Sequence, residues 1–485
     1  MNIQSLPSDV IIFLMQFLST RDLASLSAVC KFLHSLIEEF GWKTYVRLDS
    51  RPSYSLRKSF SSWDFRSQAR YNTLTDRNWV YAESVARPLS LKWTGKFRSL
   101  LAINSSRLFV GAGNTIYSYA FTQTKPTDSP GIRLESMYTT STQLQARHDL
   151  SSLVCVSDEG LDRTLYVGYA DGALERVTLP ACRAGLEGTT VEPSVRKKQY
   201  FHGNEMVESL SSTGEHVLSL SNDGTAVFFN RSYHAHFQEA QIINLEGRGW
   251  ATYLSTKSST PYAIFGTSSL SPLVVHNICT SQVSLNPSAV LASTQSLEQS
   301  ERSSAVYGIS GAPSSSPWGS SDQIIVSGWY DGVVRVHDLR SCARACSSGN
   351  ASTEPEPLRP VMSVYDPWTF EPIYTVSCGG GSSSHIAAGT ARHSVVSFWD
   401  VRYPTRGWSV HGPGNDSSPV YSVILESSRL FGATQSRPFV LDFGPDLKEE
   451  TYPRLHRDYR EEGLKRRDKS GVGFYVTKYS HARTR

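Results

Sequence analysis

Residues 325–338 read Ile325-Val-Ser-Gly-Trp-Tyr-Asp-Gly-Val-Val-Arg-Val-His-Asp338. Two β-branched runs flank an Asp-Gly pair, which predicts two antiparallel strands joined by a tight turn. The pattern recurs from Leu108 (Leu-Phe-Val-Gly-Ala-Gly-Asn-Thr), from Leu165 (Leu-Tyr-Val-Gly-Tyr-Ala-Asp-Gly) and from Val217 (Val-Leu-Ser-Leu-Ser-Asn-Asp-Gly). Weaker copies begin at Ala263, Ile386 and Leu430. Aligned on one position, the markers are Gly111, Gly168, Leu220, Gly266, Gly328, Gly389 and Gly432, in steps of 43 to 62 residues. Repetition at this spacing predicts a propeller of four-stranded blades, about seven of them. Pro88 to Trp93 is expected to pair with the last blade, because an open ring leaves an unpaired edge.

The repeats resemble WD repeats. Trp399-Asp400 is a literal Trp-Asp pair, and His337-Asp338 holds the same place one repeat earlier. Asp171, Asp223 and Asp331 stand where the family's turn aspartate hydrogen-bonds within its blade, a structural role.

Ahead of the repeats, residues 6–36 read LPSDVIIFLMQFLSTRDLASLSAVCKFLHSL. Apolar residues recur at helical spacing in three blocks: Val10, Phe13, Leu14, Phe17; Leu23, Leu26, Val29; Phe32, Leu33, Leu36. Asp22 sits where a helix N-terminus favours a carboxylate. So short and apolar a segment cannot cover its own surface, so a greasy face is expected. This stretch resembles an F-box: Leu6-Pro7, Leu14 and Leu18, Asp22-Leu23 and Val29-Cys30-Lys31 stand in the family's register, with Phe32 near the usual late aromatic. The resemblance implies a Skp-type adaptor of a cullin ubiquitin ligase as partner. Leu6, Pro7, Val10, Leu14, Leu18, Leu23, Val29, Cys30 and Phe32 would form the adaptor-binding surface.

Between the two parts, Trp42 to Arg47 and Trp63 to Tyr71 read as helices, and Ser50 to Ser62 as a turn region. Trp63, Tyr71 and Asn78-Trp79 resemble the helical linker that joins F-box to WD repeats in such proteins. The expected fold is α+β multidomain: an all-α F-box (1–47), a helical linker (48–87), an all-β WD-type propeller (88–449) and a basic tail (450–485). In the tail, Lys465-Arg-Arg suits an import signal or a solvated helix, and the run from Phe474 suits a docking strand. Ser/Pro-rich inserts at 285–304, 312–321 and 341–357 are expected to be mobile surface loops.

Composition sets limits on function. The formal net charge is +4 over 485 residues, too small to argue by itself for nucleic acid. Seven cysteines without a CxxC pair predict a reduced intracellular protein, in cytoplasm or nucleus, with no metal; histidines near Cys342 and Cys346 complete no zinc pattern. No apolar run is long enough to span a membrane. Phosphate-binding, nucleophile-elbow and metalloprotease patterns are missing, so no catalytic residue and no cofactor is expected.

Recognition is therefore assigned to the propeller rim. The first strand of each blade begins at Phe97-Arg98-Ser, Leu150-Ser-Ser, Val207-Glu208-Ser, Trp250-Ala-Thr, Val306-Tyr307-Gly, Ile373-Tyr374-Thr or Val420-Tyr421-Ser. The middle residue is expected at the rim. Arg98, Glu208, Tyr307, Tyr374 and Tyr421, with Trp329, Tyr330, Arg392 and Arg437 from adjacent turns, form the candidate substrate site, since tyrosine and arginine make strong anchors. The implied function is a ligase substrate receptor binding a protein substrate, with or without phosphate; the alternative is a WD-type scaffold.

Overall fold

A computed structural model describes residues 6–482, apart from 50, 124–127, 141–145, 182–187, 232–239, 257, 294–302, 314–320, 342–356, 415, 456–459 and 461. Cys342, Cys346, Arg457, Asp458, Glu461, Arg483 and Arg485 lie outside the described residues.

The N-terminal part is helical: α1 (Ser8–Met15), α2 (Thr20–Ser27), α3 (Lys31–Leu36), a π-turn over Ile37–Gly41, and α4 (Trp42–Leu48). Pro7 opens α1, where its missing N–H costs nothing. Ser19 and Asp22 cap α2 reciprocally, each side chain accepting from the other's amide. Hydrogen bonds from the Ser19 hydroxyl and amide hold the Asp22 carboxyl below its usual range. Ile11, Met15, Leu23, Leu33, Leu36, Ile37 and Trp42 make the small core. One turn, α5 (Arg57–Phe60), and the long helix α6 (Phe65–Val80) follow. The turn region expected at 50–62 thus contains a helical turn, with Leu56 fully buried beside Trp63 and Tyr71.

The rest of the described residues form seven up-and-down strand sets, antiparallel but for a two-residue parallel pairing of Ser136–Met137 with Thr189–Thr190. Their first strands are Leu100–Ile103, Leu150–Cys155, Val207–Thr213, Arg248–Ser255, Ser304–Gly311, Ile373–Gly379 and Val420–Leu425; the sets are called sheets 1 to 7. Sheets 4 and 5 share a two-residue pairing at Ser268–Ser269. Each first strand lies against the first strand of the next sheet, and that of sheet 7 lies against that of sheet 1. The outer strand of sheet 7 is Val85–Pro88, paired with Pro438–Asp442 from the far end of the chain. This strand starts three residues earlier than the expected Pro88, and the pairing continues loosely through Leu89 and Trp93.

Close approach between sheets explains the recurrent glycine. A Cβ on Gly328 would stand 2.5 Å from Ile373 Cγ2, and one on Gly389 2.8 Å from the Val420 carbonyl, both on the next sheet's first strand. The sequence alignment slips once: Ala433, rather than Gly432, pairs just after the irregularity in sheet 7. The turn aspartates act as Asx caps. Asp171, Asp223 and Asp331 accept from the amides of Ala173, Thr225 and Val333 at 2.9–3.1 Å.

Two expectations are corrected. Residues 288–291 of the first insert are tied down: Ala289–Val290 pairs with the third strand of sheet 4, and buried Leu291 bridges to Leu358. In the tail the solvated helix is corrected, since its described residues hold no α-helix, while the docking strand expected from Phe474 is present at Lys478–Ser480, the fifth strand of sheet 6; Tyr452 is buried against Asp442.

The linker is clamped to sheets 6 and 7. Trp79 stacks on Phe443 at 3.7 Å between ring centroids and donates its indole N–H to the Ser427 carbonyl at 2.8 Å. The Asn78 amide donates to the Phe443 carbonyl at 2.9 Å. Ser55 donates its amide and hydroxyl to Glu426, a carboxylate whose pKa burial pushes up. Arg429 and Asp442 pair at 2.7 Å, both fully buried, and Arg429 also reaches the Pro130 carbonyl. Trp79→Ala is expected to cost about 3–5 kcal/mol, as for other buried tryptophans. Chemical denaturation measures the loss, and limited proteolysis should show cleavage opening around residues 80–84.

Candidate functional site

Two surfaces stand out. The first is an outward apolar stripe that runs along α1 and ends at Phe17, two residues past the helix. Val10, Phe13, Leu14 and Phe17 follow the i, i+3, i+4, i+7 spacing and face solvent, while Ile11 and Met15 face the core. Phe17 is 72% exposed and meets Phe13 edge to face at 5.5 Å. Val29 (63% exposed) and Phe32 are outward at the α2–α3 junction. Of the residues expected at the adaptor surface, Pro7, Val10, Leu14, Val29 and Phe32 are exposed; Leu6, Leu18 and Cys30 are half-buried against the helical core. Leu23 is a correction: it is fully buried and packs inside. Phe13 and Phe17, which the same helical spacing placed in the first apolar block, share the exposed stripe.

The second surface lies where the first strands begin. In sheets 2 to 7 the pairing skips one residue near the start of the first strand: Ser151, Glu208, Trp250, Tyr307, Tyr374 and Tyr421. Such a bulge frees a side chain from the ladder and re-aims it. Four of these side chains join into one arc. Trp250 meets Tyr307 at 4.8 Å, Tyr307 meets Tyr374 at 5.5 Å, and Tyr374 meets Tyr421 at 5.9 Å. Tyr330, 59% exposed, flanks Tyr307 at 6.4 Å. The Tyr421 hydroxyl accepts from Gln435 at 3.0 Å. Burial, then the neighbouring phenols, pushes the pKa of Tyr307 and Tyr374 up, so both stay protonated at neutral pH.

Charge is arranged around the arc. Arg98, two residues before the first strand of sheet 1, pairs with Glu208 of sheet 3 at 2.5 Å. Arg248 stands 3.9 Å from the other Glu208 oxygen and lies over the Trp250 ring, its guanidinium carbon 3.9 Å from the centroid. Glu208 is itself buried, so it positions two arginines and offers little surface of its own. Arg392 is exposed, 3.6 Å from Glu371. Two expected members are corrected. Trp329 is fully buried, its indole N–H on Ser327 and Arg335 stacked on its face. Arg437 is buried and donates to the Glu462 carbonyl. Trp250 and Arg248 were missed, because the triplet Trp250-Ala-Thr was aligned one residue late; Gly249-Trp250-Ala251 is the match to Val306-Tyr307-Gly308.

Ser409, His481 and Asp366 meet in sheet 6 but do not make a nucleophile. The Ser409 hydroxyl (2.8 Å) and the Asp366 carboxylate (3.5 Å) both face His481 Nε2, while Nδ1 is buried without a partner and Ser409 is fully buried. Burial opposes ionisation of Asp366, yet hydrogen bonds from His481, the Trp368 amide, Ser409 and Tyr479 hold its pKa at about 2. The cluster pins the C-terminal strand. Among the described residues no group of three His, Cys, Asp or Glu side chains is placed to hold a metal ion.

The family comparison matches an F-box-like domain over residues 3–47. The chain therefore carries an F-box-like domain followed by a β-rich body, and F-box domains generally bind Skp-type adaptors. No curated protein matches the chain.

Adjacent residues separate core from rim. Trp329→Ala is expected to lower unfolding free energy by about 3–5 kcal/mol, and Tyr330→Ala by less than about 1 kcal/mol. Equal losses in paired denaturation curves would contradict the placement of Tyr330 on the surface.

Proposed function

We propose that this protein is the non-catalytic substrate receptor of a cullin-type ubiquitin ligase. Its F-box docks on a Skp-type adaptor, and through it on a cullin. The seven sheets are the blades of a WD-type propeller whose rim takes the protein substrate. What carries the reading is the stripe Val10, Phe13, Leu14 and Phe17, which the helical core leaves uncovered at the F-box-like domain. Apolar side chains held outward on a helix packed against its neighbours are what helix-in-groove docking needs.

The succession of first-strand contacts, returning from sheet 7 to sheet 1, supports the propeller. The rim supports a peptide ligand, since tyrosine, tryptophan and arginine concentrate there. Tyr421 is the second residue of the first strand of sheet 7, and Glu426, which holds the linker, follows its end. Five residues of strand put about 16 Å between the arc and the linker clamp. The substrate thus sits on the face away from the F-box. Catalysis comes from proximity: the receptor holds the substrate near a transfer centre supplied by its partners. Such a protein works in the cytoplasm or nucleus.

Burying Leu14 and Phe17 contributes about 3–5 kcal/mol together. Leu14→Asp with Phe17→Asp should therefore weaken adaptor binding by more than about 100-fold in calorimetry. The melting temperature of the β-rich body should not change. Unchanged adaptor affinity, or no affinity in the wild type, sinks the receptor reading and leaves a scaffold.

A further inference from the structure

Glu208, Trp250 and Tyr307 hold the same place in sheets 3, 4 and 5. Each is the residue that the pairing skips near the start of its first strand, so a carboxylate, an indole and a phenol are re-aimed side by side at the rim. Trp250 meets Tyr307 edge to face, and its indole N–H donates to the Ser268 hydroxyl at 2.6 Å, which fixes the ring. Tyr330 flanks Tyr307 and stays exposed.

Glu208 is incompletely bonded in this corner. None of its side chain is in solvent. One oxygen, Oε1, accepts from Arg98 at 2.5 Å. The other, Oε2, is buried without a hydrogen-bond partner among the described residues. A buried carboxylate oxygen that accepts nothing carries its desolvation cost unrelieved. A cation stands close by and does not relieve it. Arg248 lies over the Trp250 ring, its guanidinium carbon 3.9 Å from the centroid, yet its nitrogen stops 3.9 Å from Oε2, beyond hydrogen-bonding distance. With 49% of its side chain in solvent, Arg248 is held on the indole by an exposed stack, which is a weak tie. The other charges of this part of the rim have partners. Arg98 is engaged by Glu208, Arg392 faces Glu371 at 3.6 Å, and Asp331, next to Tyr330, pairs with Arg335. Asp223 caps the turn of sheet 3 through Ser221 and Thr225. Glu246, two residues before Arg248, is exposed. The corner thus holds a guanidinium on an indole, with an unfilled carboxylate oxygen just out of its reach.

We propose that this corner takes an arginine side chain of the bound protein, which displaces Arg248 from Trp250 and donates to Glu208 Oε2. The inference rests on the rim being the substrate site and names what that site reads. The incoming guanidinium stacks on the indole while one N–H completes the carboxylate, a bond that Arg248 does not make. A planar, forked guanidinium meets both demands at once, whereas the ammonium of lysine is a point charge and meets them less well. The exchange puts one cation in the place of another, so the charge held at the corner is unchanged and Arg248 moves out into water. Arg248 is therefore an internal stand-in that covers the indole until the ligand arrives. Residues beside the ligand arginine lie along the arc, on Tyr307 and Tyr374.

The test uses the purified full chain and a fluorescein-labelled peptide with one arginine between two tyrosines in a glycine–serine background. Fluorescence anisotropy should show saturable binding. Lysine in place of the arginine should weaken binding by about tenfold. Citrulline, which keeps the shape and loses the charge, should weaken it further. Arg248→Ala should tighten binding of the arginine peptide by about threefold, because the internal competitor is gone. Its melting temperature should not change, since half of the side chain is in solvent. Glu208→Gln should abolish the preference for arginine over citrulline; if that buried substitution unfolds the chain, the peptide series and Arg248→Ala decide. The proposal is overturned by absence of saturable binding, by a citrulline peptide that binds as tightly as the arginine peptide, or by Arg248→Ala leaving affinity unchanged or lower. A glutamate peptide that binds more tightly than the arginine peptide also overturns it, since Arg98 and Arg248 then hold an anion. Adaptor binding is measured separately on the same chain and uses none of these residues, so the corner and the receptor reading fail or stand apart.

Discussion

The stacking of Trp79 on Phe443, with its indole hydrogen bond to Ser427, is the contact on which the arrangement of the whole chain depends. Together with the bonds from Asn78 to Phe443 and from Ser55 to Glu426, it fixes α6 on the last sheet and so sets the relation between the two exposed surfaces. With it, the helical domain is tied to the turn after the first strand of sheet 7. The ties around it are unusual in being polar and buried. Ser55 on Glu426, Arg429 on Asp442 and Tyr452 on Asp442 draw linker, last sheet and tail into one network. A buried carboxylate such as Glu426 is costly unless hydrogen-bonded, so its satisfaction by Ser55 selects one docking geometry over many apolar alternatives.

Both chain ends close the β-rich body, and they do so on neighbouring sheets. Val85–Pro88 completes sheet 7, and Lys478–Ser480 extends sheet 6. In both sheets the edge of the preceding strand is thereby paired by the chain itself. The C-terminal strand is secured by the Ser409–His481–Asp366–Tyr479 cluster, for which Gly407 makes room: a Cβ there would stand within 2.1 Å of His481 Nδ1. The tail therefore acts as a fastener, which its basic composition does not reveal.

Much of this was legible in sequence, for physical reasons that also explain the failures. Helical spacing grouped Val10, Phe13, Leu14 and Phe17, and these four share one exposed face while Ile11 and Met15 turn inward. Leu23 was misplaced because family position was allowed to outweigh that period. The glycine repeat marked where one sheet's first strand crosses the next, so it located the strand starts and with them Tyr307, Tyr374 and Tyr421. It could not mark the bulges, which need cross-strand pairing to be seen, and a one-residue slip hid Trp250. Trp329 and Tyr330 are adjacent in a strand end, so one must face inward; the sequence does not say which. Long-range partners such as Ser55 with Glu426, 371 residues apart, left no local signal at all.

The central claim is that one face of the N-terminal helices is an adaptor surface while the aromatic arc stays open on the far side. Hydrogen–deuterium exchange of the full chain with and without a Skp-type adaptor tests it directly. The account predicts new protection confined to residues 7–32, with the strand starts at Trp250, Tyr307, Tyr374 and Tyr421 unchanged. Protection at those strand starts with none at 7–32, or no change anywhere at saturating adaptor, would contradict it.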